Sequence, residues 1–492
     1  MKYISTRNKK NTVSGIEAVV KGLSAEGGLF VPEQFPEISL AEIESLCELD
    51  YPERAAKIIA KFLPELEGDL NEYTQKAYSR FDGDAAPLVK LDEGLYILEL
   101  WHGPTHAFKD IALTLLPYLL TGSKKHLGHD EKTLILVATS GDTGKAALEG
   151  FKDVSDTDVI VFYPQDGVSQ MQKLQMMTTT GGNVKVYGIR GNFDDAQTAV
   201  KKIFTDTETA DILAQNGYNL SSANSINWGR LVPQIAYYFS SYCDMLDAKQ
   251  IALGDKVNFC VPSGNFGNIL AGYYAKQMGL PVGKLICASN KNNVLTDFLS
   301  IGEYSIKREF YKTTSPSMDI LISSNLERLV FELSGRDDEL TAKRMNELKE
   351  NGVYCISEKE LEEMKKTFAA GCATEETVFE TIGYYFDEYG YVLDTHTSVA
   401  ASVYENYKTK TGDKTPTVIV STASPYKFVD DVLVALGESK GKTAQASLKK
   451  LENVSAMPIP ETLSGLFSMP VLHKDIIDKD EAKQAVINYT KK

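Results

Sequence analysis

Several features that mark particular classes of protein are absent from this sequence. The longest nearly uninterrupted apolar stretch, Ile111 to Leu120, is 10 residues long and contains a proline, whereas a membrane-spanning helix needs about 18 apolar residues or more. The opening residues, MKYISTRNKKNTVSG, lack the apolar run of a secretion signal. We therefore predict a cytoplasmic protein with no transmembrane segment and no membrane partner.

The sequence also has few cysteines and histidines. The six cysteines form no C-x-x-C pair, and the six histidines include no H-E-x-x-H motif. This pattern predicts buried free thiols and no metal site. The formal net charge is −15 and no long basic run occurs, so nucleic acid is not an expected partner.

What the chain does contain is an ordinary globular composition, with 43% hydrophobic and 24% charged residues over 492 positions. That length predicts two to four domains. Short β-rich runs, several of them apolar on both faces, alternate with helical patterns, which predicts an α/β architecture with parallel sheets. The predicted strands are Leu95 to Leu100, Thr133 to Ala138, Asp158 to Tyr163, Val184 to Ile189, Val257 to Val261, Leu285 to Ala288 and Thr417 to Val420.

The segment LELWHGPTHAFKDIALTLLPYLL joins a predicted strand to a helix and carries a lysine. His102, Gly103 and Pro104 predict a turn, after which apolar residues recur at helical spacing, so the helix should begin at Pro104 or Thr105. Lys109 would then lie in the first helical turn and face apolar surroundings, where burial and the helix dipole lower an ammonium pKa. A neutral amine can form a Schiff base with a carbonyl cofactor. The alternative is a lysine that extends to solvent.

Two further strand-to-helix connections are rich in glycine and small polar residues. In VNFCVPSGNFGNILAGYYAKQMG, the loop from Ser263 to Asn268 predicts an anion site, most naturally for phosphate, with a tight unliganded turn as the alternative. In TLILVATSGDTGKAALEGF, the run from Thr139 to Gly144 predicts a second anion loop, which is not a Walker loop because Ala146 replaces the required Ser or Thr. Two anion loops and a Schiff-base lysine favour pyridoxal phosphate (PLP) with an anionic substrate.

Five fragments, HGPTHAFKD, TSGDTGKAA, PSGNFGN, NSINWGR and STASPYKF, occur in this order and resemble the threonine synthase family of the longer bacterial and fungal type. The start, YISTRN followed by AVVKGLSAEGGLFVP, is similar to that family's N-terminal domain. The resemblance implies an α/β protein of PLP fold type II, the tryptophan-synthase-β-like fold, with two open, twisted, mostly parallel sheets. We expect a mainly helical N-terminal domain (1–90), a larger PLP-binding domain (91–130 and 225–492) and a smaller mobile α/β domain (131–224).

The resemblance also implies an activity. The family consists of PLP-dependent carbon–oxygen lyases that convert O-phospho-L-homoserine and water to L-threonine and phosphate, the last step of threonine biosynthesis. A phospholyase that yields 2-oxobutyrate from the same substrate is an alternative. A non-catalytic PLP-binding module is another, although Lys109 argues against it. The expected assembly is a monomer or a homodimer.

Residue roles follow from the matching fragments. Lys109 would be the catalytic and Schiff-base lysine, and the Thr422 hydroxyl would face the pyridine nitrogen of PLP. Ser424 and His106 depart from the residues common in the family and receive no role, and His102 should order the turn before Lys109. The residues expected to hold the cofactor phosphate are Gly264, Asn265, Phe266, Gly267 and Asn268. The residues expected to bind substrate are Ser140, Asp142, Thr143, Asn224, Ser225 and Arg230.

Overall fold

A computed structural model describes residues 1–139, 141–165, 168 and 170–491. The strands are β1 (Lys2–Ser5), β2 (Asn8–Ser14), β3 (Phe30–Pro32), β4 (Leu88–Asp92), β5 (Leu95–Glu99), β6 (Lys132–Ala138), β7 (Thr157–Pro164), β8 (Val184–Ile189), β9 (Tyr218–Ser221), β10 (Val257–Pro262), β11 (Val282–Ser289), β12 (Glu303–Ser305), β13 (Val353–Cys355), β14 (Phe368–Cys372), β15 (Thr417–Ser421) and β16 (Ile476–Ile477). The helices are α1 (Gly15–Lys21), α2 (Leu40–Cys47), α3 (Tyr51–Phe62), α4 (Glu67–Tyr78), α5 (Lys109–Leu113), α6 (Leu116–Leu127), α7 (Asp142–Phe151), α8 (Gln170–Met177), α9 (Phe193–Thr205), α10 (Thr207–Gln215), α11 (Trp228–Asp247), α12 (Gly267–Met278), α13 (Val294–Ile301), α14 (Leu326–Leu333), α15 (Asp338–Asn351), α16 (Glu358–Thr367), α17 (Glu375–Tyr389), α18 (Thr395–Thr411), α19 (Val429–Ala435), α20 (Ala444–Ser455), α21 (Glu461–Ser464) and α22 (Ala482–Thr490).

The larger sheet has six strands in the order β14-β11-β10-β15-β5-β4. Neighbouring strands are parallel except β4 and β5, which are antiparallel. Both faces of the sheet are buried, since alternate residues of β10 pack into different hydrophobic clusters, Phe259 and Val261 into one and Cys260 into the other. Strands β5, β10 and β15 match the predicted apolar runs to within one residue, because full burial requires the continuous apolar character that the sequence displays.

The smaller sheet has five parallel strands in the order β16-β8-β7-β6-β9. Strands β6 to β9 lie within the predicted smaller domain, but β16 comes from near the C-terminus. Helix α22 follows β16 and buries Ala482 and Val486 in the same hydrophobic cluster as Leu136 and Ile160. Residues 476–490 thus pack on the smaller sheet, whereas the sequence placed them with the larger domain. A strand of two residues has no periodicity from which its partner could be predicted.

The N-terminal part combines helices α1 to α4 with a three-stranded antiparallel sheet in the order β2-β1-β3. The sequence predicted its helical character but not this sheet. Trp228, the first residue of α11, joins the N-terminal part to the rest of the chain. Its ring packs edge-on against Tyr3 at 5.2 Å and Phe62 at 5.4 Å between centroids.

All six cysteines are free thiols. Cys243, Cys260 and Cys287 are buried as predicted, whereas Cys355 and Cys372 are exposed. Within the described ranges, no helix has both the length and the apolar character needed to cross a membrane. The same residues contain no group of three or more His, Cys, Asp or Glu side chains that could hold a metal ion.

The carboxyl ends of four strands lead into the segments that carry the predicted site residues. Strand β5 leads into the turn before Lys109, and β10 leads into the loop before Gly267. Strand β15 ends one residue before Thr422, and β6 is followed by helix α7, which begins at Asp142. Because ligands bind at this edge of parallel α/β sheets, the fold places these residues where a site is expected.

Candidate active site

The turn before Lys109 differs from the sequence prediction. Helix α5 begins at Lys109, so the predicted start at Pro104 or Thr105 is wrong. The Asp110 carboxylate accepts hydrogen bonds from the Thr105 backbone N–H (2.8 Å) and hydroxyl (2.6 Å), which holds the turn against the helix. His106 has a φ of 57°, a left-handed conformation that a continuous helix excludes.

The Lys109 amine lies among polar and charged groups. Its Nζ donates to the Ser317 hydroxyl at 3.3 Å. Burial lowers the pKa of Lys109 below its ordinary value, Asp142 opposes this shift, and the cations Lys427 and Arg230 reinforce it. The sequence predicted a lowered pKa from apolar surroundings and the helix dipole, whereas here burial acts together with neighbouring cations.

The loop from Gly264 to Asn268 packs against Phe368 and against the backbone of Ser317. Phe266 has a φ of 63°, and its buried ring packs 5.9 Å from that of Phe368. A Cβ on Gly264 would lie 2.9 Å from the carbonyl oxygen of Ser317, so a side chain does not fit there. The loop therefore contacts the same Ser317 that binds Lys109.

This loop also offers donors to an anion. Helix α12 begins at Gly267, and the first N–H groups of a helix have no intrahelical acceptor. The Asn268 Oδ1 accepts from the hydroxyls of Tyr237 (2.6 Å) and Tyr238 (2.9 Å). Its Nδ2 is buried and has no hydrogen-bond partner among the described residues. The Asn265 carbonyl accepts from the Asn325 backbone N–H at 3.1 Å, which ties the loop to the start of α14.

Thr422 lies directly beside the Lys109 turn. Its carbonyl accepts from the Phe108 N–H at 2.9 Å, and its own N–H donates to the Thr397 hydroxyl at 3.3 Å. The Thr422 side chain is buried, and within the described part of the chain no hydrogen bond of its hydroxyl occurs. Ser424 caps the following turn through a bond from the Tyr426 N–H at 3.4 Å.

The connection from β6 to α7 carries three predicted substrate residues, of which Ser140 lies outside the described residues. The Thr139 hydroxyl accepts from the backbone N–H groups of Gly141 (3.0 Å) and Gly144 (2.9 Å). These two amides are therefore satisfied inside the loop. Of the predicted substrate residues in this connection, the structure describes Asp142, which is buried, and Thr143, which is partly buried.

Asp142 is buried and ionised. Its Oδ1 lies 3.0 Å from the Lys427 Nζ, and Gln172 donates to the same oxygen at 3.1 Å. Although burial alone would raise it, Lys427 and Lys109 hold the pKa of Asp142 well below its usual range. The carboxylate therefore carries a fixed negative charge next to Lys109.

Arg230 is a buried cation with no carboxylate partner in the part of the chain that the structure describes. Its side chain is 4% exposed. One nitrogen donates to the Ala223 carbonyl, and Nε is buried without a partner. Burial lowers the pKa of this guanidinium to about 10. Such a group is suited to bind phosphate, whose oxygens match its planar donors.

Asn224 and Ser225 precede Arg230 in the chain. Asn224 is exposed, and its N–H donates to the Ser222 hydroxyl at 3.2 Å. The Ser225 hydroxyl lies 3.4 Å from that of Ser324, which is 3.3 Å from the Asn265 side chain. This connects the Arg230 segment to the Gly264–Asn268 loop.

Lys427 contacts the predicted site residue Asp142 and was not itself predicted. Besides the ion pair with Asp142, its ammonium donates to the Thr105 carbonyl at 2.8 Å. It lies in the fragment STASPYKF, so the signal for it was present in the sequence.

A buried Asp–His pair behind Ser317 was also missed. The Ser317 N–H donates to His396 Nε2 at 3.2 Å, and His396 Nδ1 lies 3.2 Å from Asp394 Oδ1. No motif in the sequence marks these residues, because each is ordinary in its own segment. His102, expected to order the turn, binds Glu99 at 2.7 Å.

Comparison with known proteins agrees with this arrangement. Residues 2–78 match the family model for the threonine synthase N terminus, residues 83–423 match that for pyridoxal-phosphate dependent enzymes, and residues 397–487 match that for the threonine synthase C-terminal region. The chain is 39% identical over 456 residues to threonine synthase-like 1 of Homo sapiens, covering 90% of this chain but only 61% of the human protein.

Two further relatives match over most of both chains. Threonine synthase of Pseudomonas aeruginosa is 38% identical, over 88% of this chain and 90% of that protein. The crystal structure of PLP-bound threonine synthase from Brucella melitensis has 37% identity and a TM-score of 0.88, covering 100% of this chain and 98% of that one. The predicted α/β architecture of PLP fold type II is thereby confirmed, and the chain belongs to the threonine synthase family.

Proposed function

We propose that this protein converts O-phospho-L-homoserine and water to L-threonine and phosphate, with PLP as its cofactor. The observation that carries the proposal is the buried Arg230 guanidinium, which has no carboxylate partner among the described residues and acts electrostatically on Lys109. It forms a second anion site beside the Gly264–Asn268 loop. A phosphorylated cofactor and a phosphorylated substrate need one such site each.

The residues present fit PLP. The Lys109 amine, whose pKa burial lowers, would bind the cofactor aldehyde. The loop N–H groups and the unpartnered Asn268 Nδ2 suit the cofactor phosphate, and the Thr422 hydroxyl suits its pyridine nitrogen. When bound, PLP withdraws electrons from the bonds at the substrate's amino-bearing carbon.

Lys109 is also the proton carrier of the proposed reaction. When it is free of the cofactor, its neutral amine would accept the proton from substrate Cα and move protons at Cβ. The Ser317 hydroxyl, 3.3 Å from Nζ, restricts where that amine can lie. His396 in turn holds the Ser317 backbone at 3.2 Å.

The phosphate of the substrate would bind to Arg230, with Asn224 and Ser225 beside it. Since the guanidinium is almost fully buried, its attraction for the departing phosphate is weakly screened by water. The same buried cation that binds the substrate thus stabilises the charge that develops as the Cγ–oxygen bond breaks.

Ser140, Asp142 and Thr143 would bind the remaining polar groups of the substrate from the smaller domain. We propose that this domain (131–224) is mobile and closes on the larger one (91–130 and 225–492), with 1–90 as the N-terminal domain. Residues 476–490 would move with the smaller domain, because they pack on its sheet. Closure would exclude water from the site until the step in which water adds to the substrate Cβ.

Incubation of the purified holoenzyme with O-phosphohomoserine, with phosphate, threonine and 2-oxobutyrate measured together, tests the proposal. We expect threonine and phosphate in equal amounts. Phosphate with 2-oxobutyrate would establish a phospholyase instead, and bound PLP without any product would establish a binding module. Light scattering and cell fractionation check the predicted monomer or homodimer and its cytoplasmic location.

A further inference from the structure

Lys427 joins three segments that are distant in the chain. It lies in the short turn after β15, and its side chain is 3% exposed. Its ammonium is 3.0 Å from the Asp142 carboxylate at the start of α7 and 2.8 Å from the Thr105 carbonyl. Thr105 is in turn bound by Asp110, the residue next to Lys109. Lys427 therefore connects the smaller sheet unit to the turn that carries Lys109.

The contacts of Lys427 are costly to break. An ion pair this deeply buried is screened little by water, and removing one partner leaves the other as an uncompensated buried charge. Asp142 has one other described donor, Gln172 at 3.1 Å, which is neutral. The position of the carboxylate thus depends chiefly on Lys427.

Four charged groups act electrostatically on the Lys109 amine. Asp142 and Asp110 favour its protonated form, whereas Lys427 and Arg230 favour its neutral form. Arg230 would be neutralised by a bound substrate phosphate, but Lys427 has its partner inside the protein. Lys427 is therefore a cation whose effect on Lys109 does not depend on the substrate.

We propose that Lys427 is a positioning residue of the active site, which binds the Asp142 carboxylate to the turn before Lys109 and keeps a fixed positive charge beside the Lys109 amine. For its kinetic test the inference rests on the proposed function. The test of the amine itself needs neither substrate nor cofactor.

The first experiment is competitive acetylation of the apoprotein with acetic anhydride over a pH series, with the Lys109 peptide quantified by mass spectrometry. In K427M the midpoint of Lys109 labelling should move to higher pH, because a neighbouring cation has been removed. In K427R, which keeps the charge, it should stay close to wild type. An unchanged midpoint in K427M would overturn the proposal.

K145M is the matched control. Lys145, which lies on α7, is likewise a buried lysine and is paired with Glu149 at 2.6 Å. It is not among the main electrostatic influences on Lys109. Its loss should lower thermal stability and leave the Lys109 midpoint in place. A shift of the midpoint in K145M equal to that in K427M would show a general loosening of α7 and overturn the proposal.

The second experiment is a double-mutant cycle of K427M and D142N on kcat/KM for O-phosphohomoserine. Each single variant should lose about tenfold or more, and the double variant should lose little beyond either one, because both remove the same contact. K427R should recover part of the loss. Additive losses would overturn the proposal. Should K427M fail to fold, K427Q, which also removes the charge, takes its place in both experiments. Failure of wild type to use the substrate would refute the proposed function, while the labelling experiment still decides the role of Lys427.

Discussion

Replacing Arg230 by methionine should stabilise the free protein and weaken its binding of substrate. The guanidinium is 4% exposed, and burial lowers its pKa from 12.5 to about 10. At about 1.4 kcal/mol per pKa unit, keeping it charged costs the folded protein on the order of 3 kcal/mol at neutral pH. Its hydrogen bond to Ala223 offsets about 1 kcal/mol. R230M should therefore raise the free energy of unfolding by about 1–2 kcal/mol, as measured by urea denaturation of the apoprotein.

The effect on the substrate has the opposite sign. A hydrogen bond to a charged group contributes about 1.5–3 kcal/mol, so the Kd for O-phosphohomoserine should rise about 10- to 150-fold in R230M. Isothermal titration calorimetry measures this, and cofactor retention should be unchanged. Loss of the cofactor with substrate affinity intact would show that the two phosphate sites have been exchanged.

Arg328 provides the control for this prediction. It is also fully buried, but it donates to the Phe30 carbonyl (3.1 Å), the Ile226 carbonyl (2.7 Å) and the Asn325 side chain. R328M would leave these acceptors unpaired and should destabilise the protein by about 2 kcal/mol or more. If R230M destabilises the protein as R328M does, or leaves the substrate Kd unchanged, the reasoning about Arg230 is refuted.

Three further predictions concern other residues of the site. K109A should lose the borohydride-reducible link to PLP and about 10²-fold or more of turnover, since the base is removed. Peptide mapping of the wild-type protein after borohydride reduction checks this. Label on a lysine other than Lys109 would contradict it. T422D should change the ratio of threonine to 2-oxobutyrate, because a carboxylate keeps the pyridine nitrogen protonated and a hydroxyl does not. T422S should change this ratio little. An unaltered ratio in T422D would count against the assignment of Thr422 to the pyridine nitrogen. Burial, together with Lys427, lowers the pKa of His106 from 6.5 to about 3. Between these two pH values the unfolded chain binds a proton that the folded protein does not. This difference lowers the free energy of unfolding by about 2 kcal/mol at pH 5. H106N, which tolerates the φ of 57°, should lose less stability than wild type between pH 7 and pH 5 in urea denaturation, and an equal loss would refute the role of His106.

The sequence by itself determined the central strands and the family. Strands such as β7 and β10 are apolar on both faces over consecutive residues, and this information is local, so it could be read without knowing what covers them. The capping box of Ser357 and Glu360 at the start of α16 is local in the same way, because both residues lie within one turn of sequence. The family was determined by several short fragments in a fixed order.

Only the tertiary structure decided the edges of the sheets. Strands β9 and β14 are partly exposed and lack a continuous apolar run, because an edge strand has a neighbour on one side only. Their sequences, YNLS and FAAGC, carry little strand signal, and β16 is too short to carry any. These strands form because a partner is already in place.

The tertiary structure likewise decided the electrostatics of the site. The later start of α5 follows from hydrogen bonds between Asp110 and Thr105 that compete with helical ones. Lys427 and Thr105 are 322 positions apart in the chain, yet the ammonium of one binds the carbonyl of the other. The charge beside Lys109 is set by groups that only folding brings together, and burial, which makes those charges strong, is itself a property of the folded state.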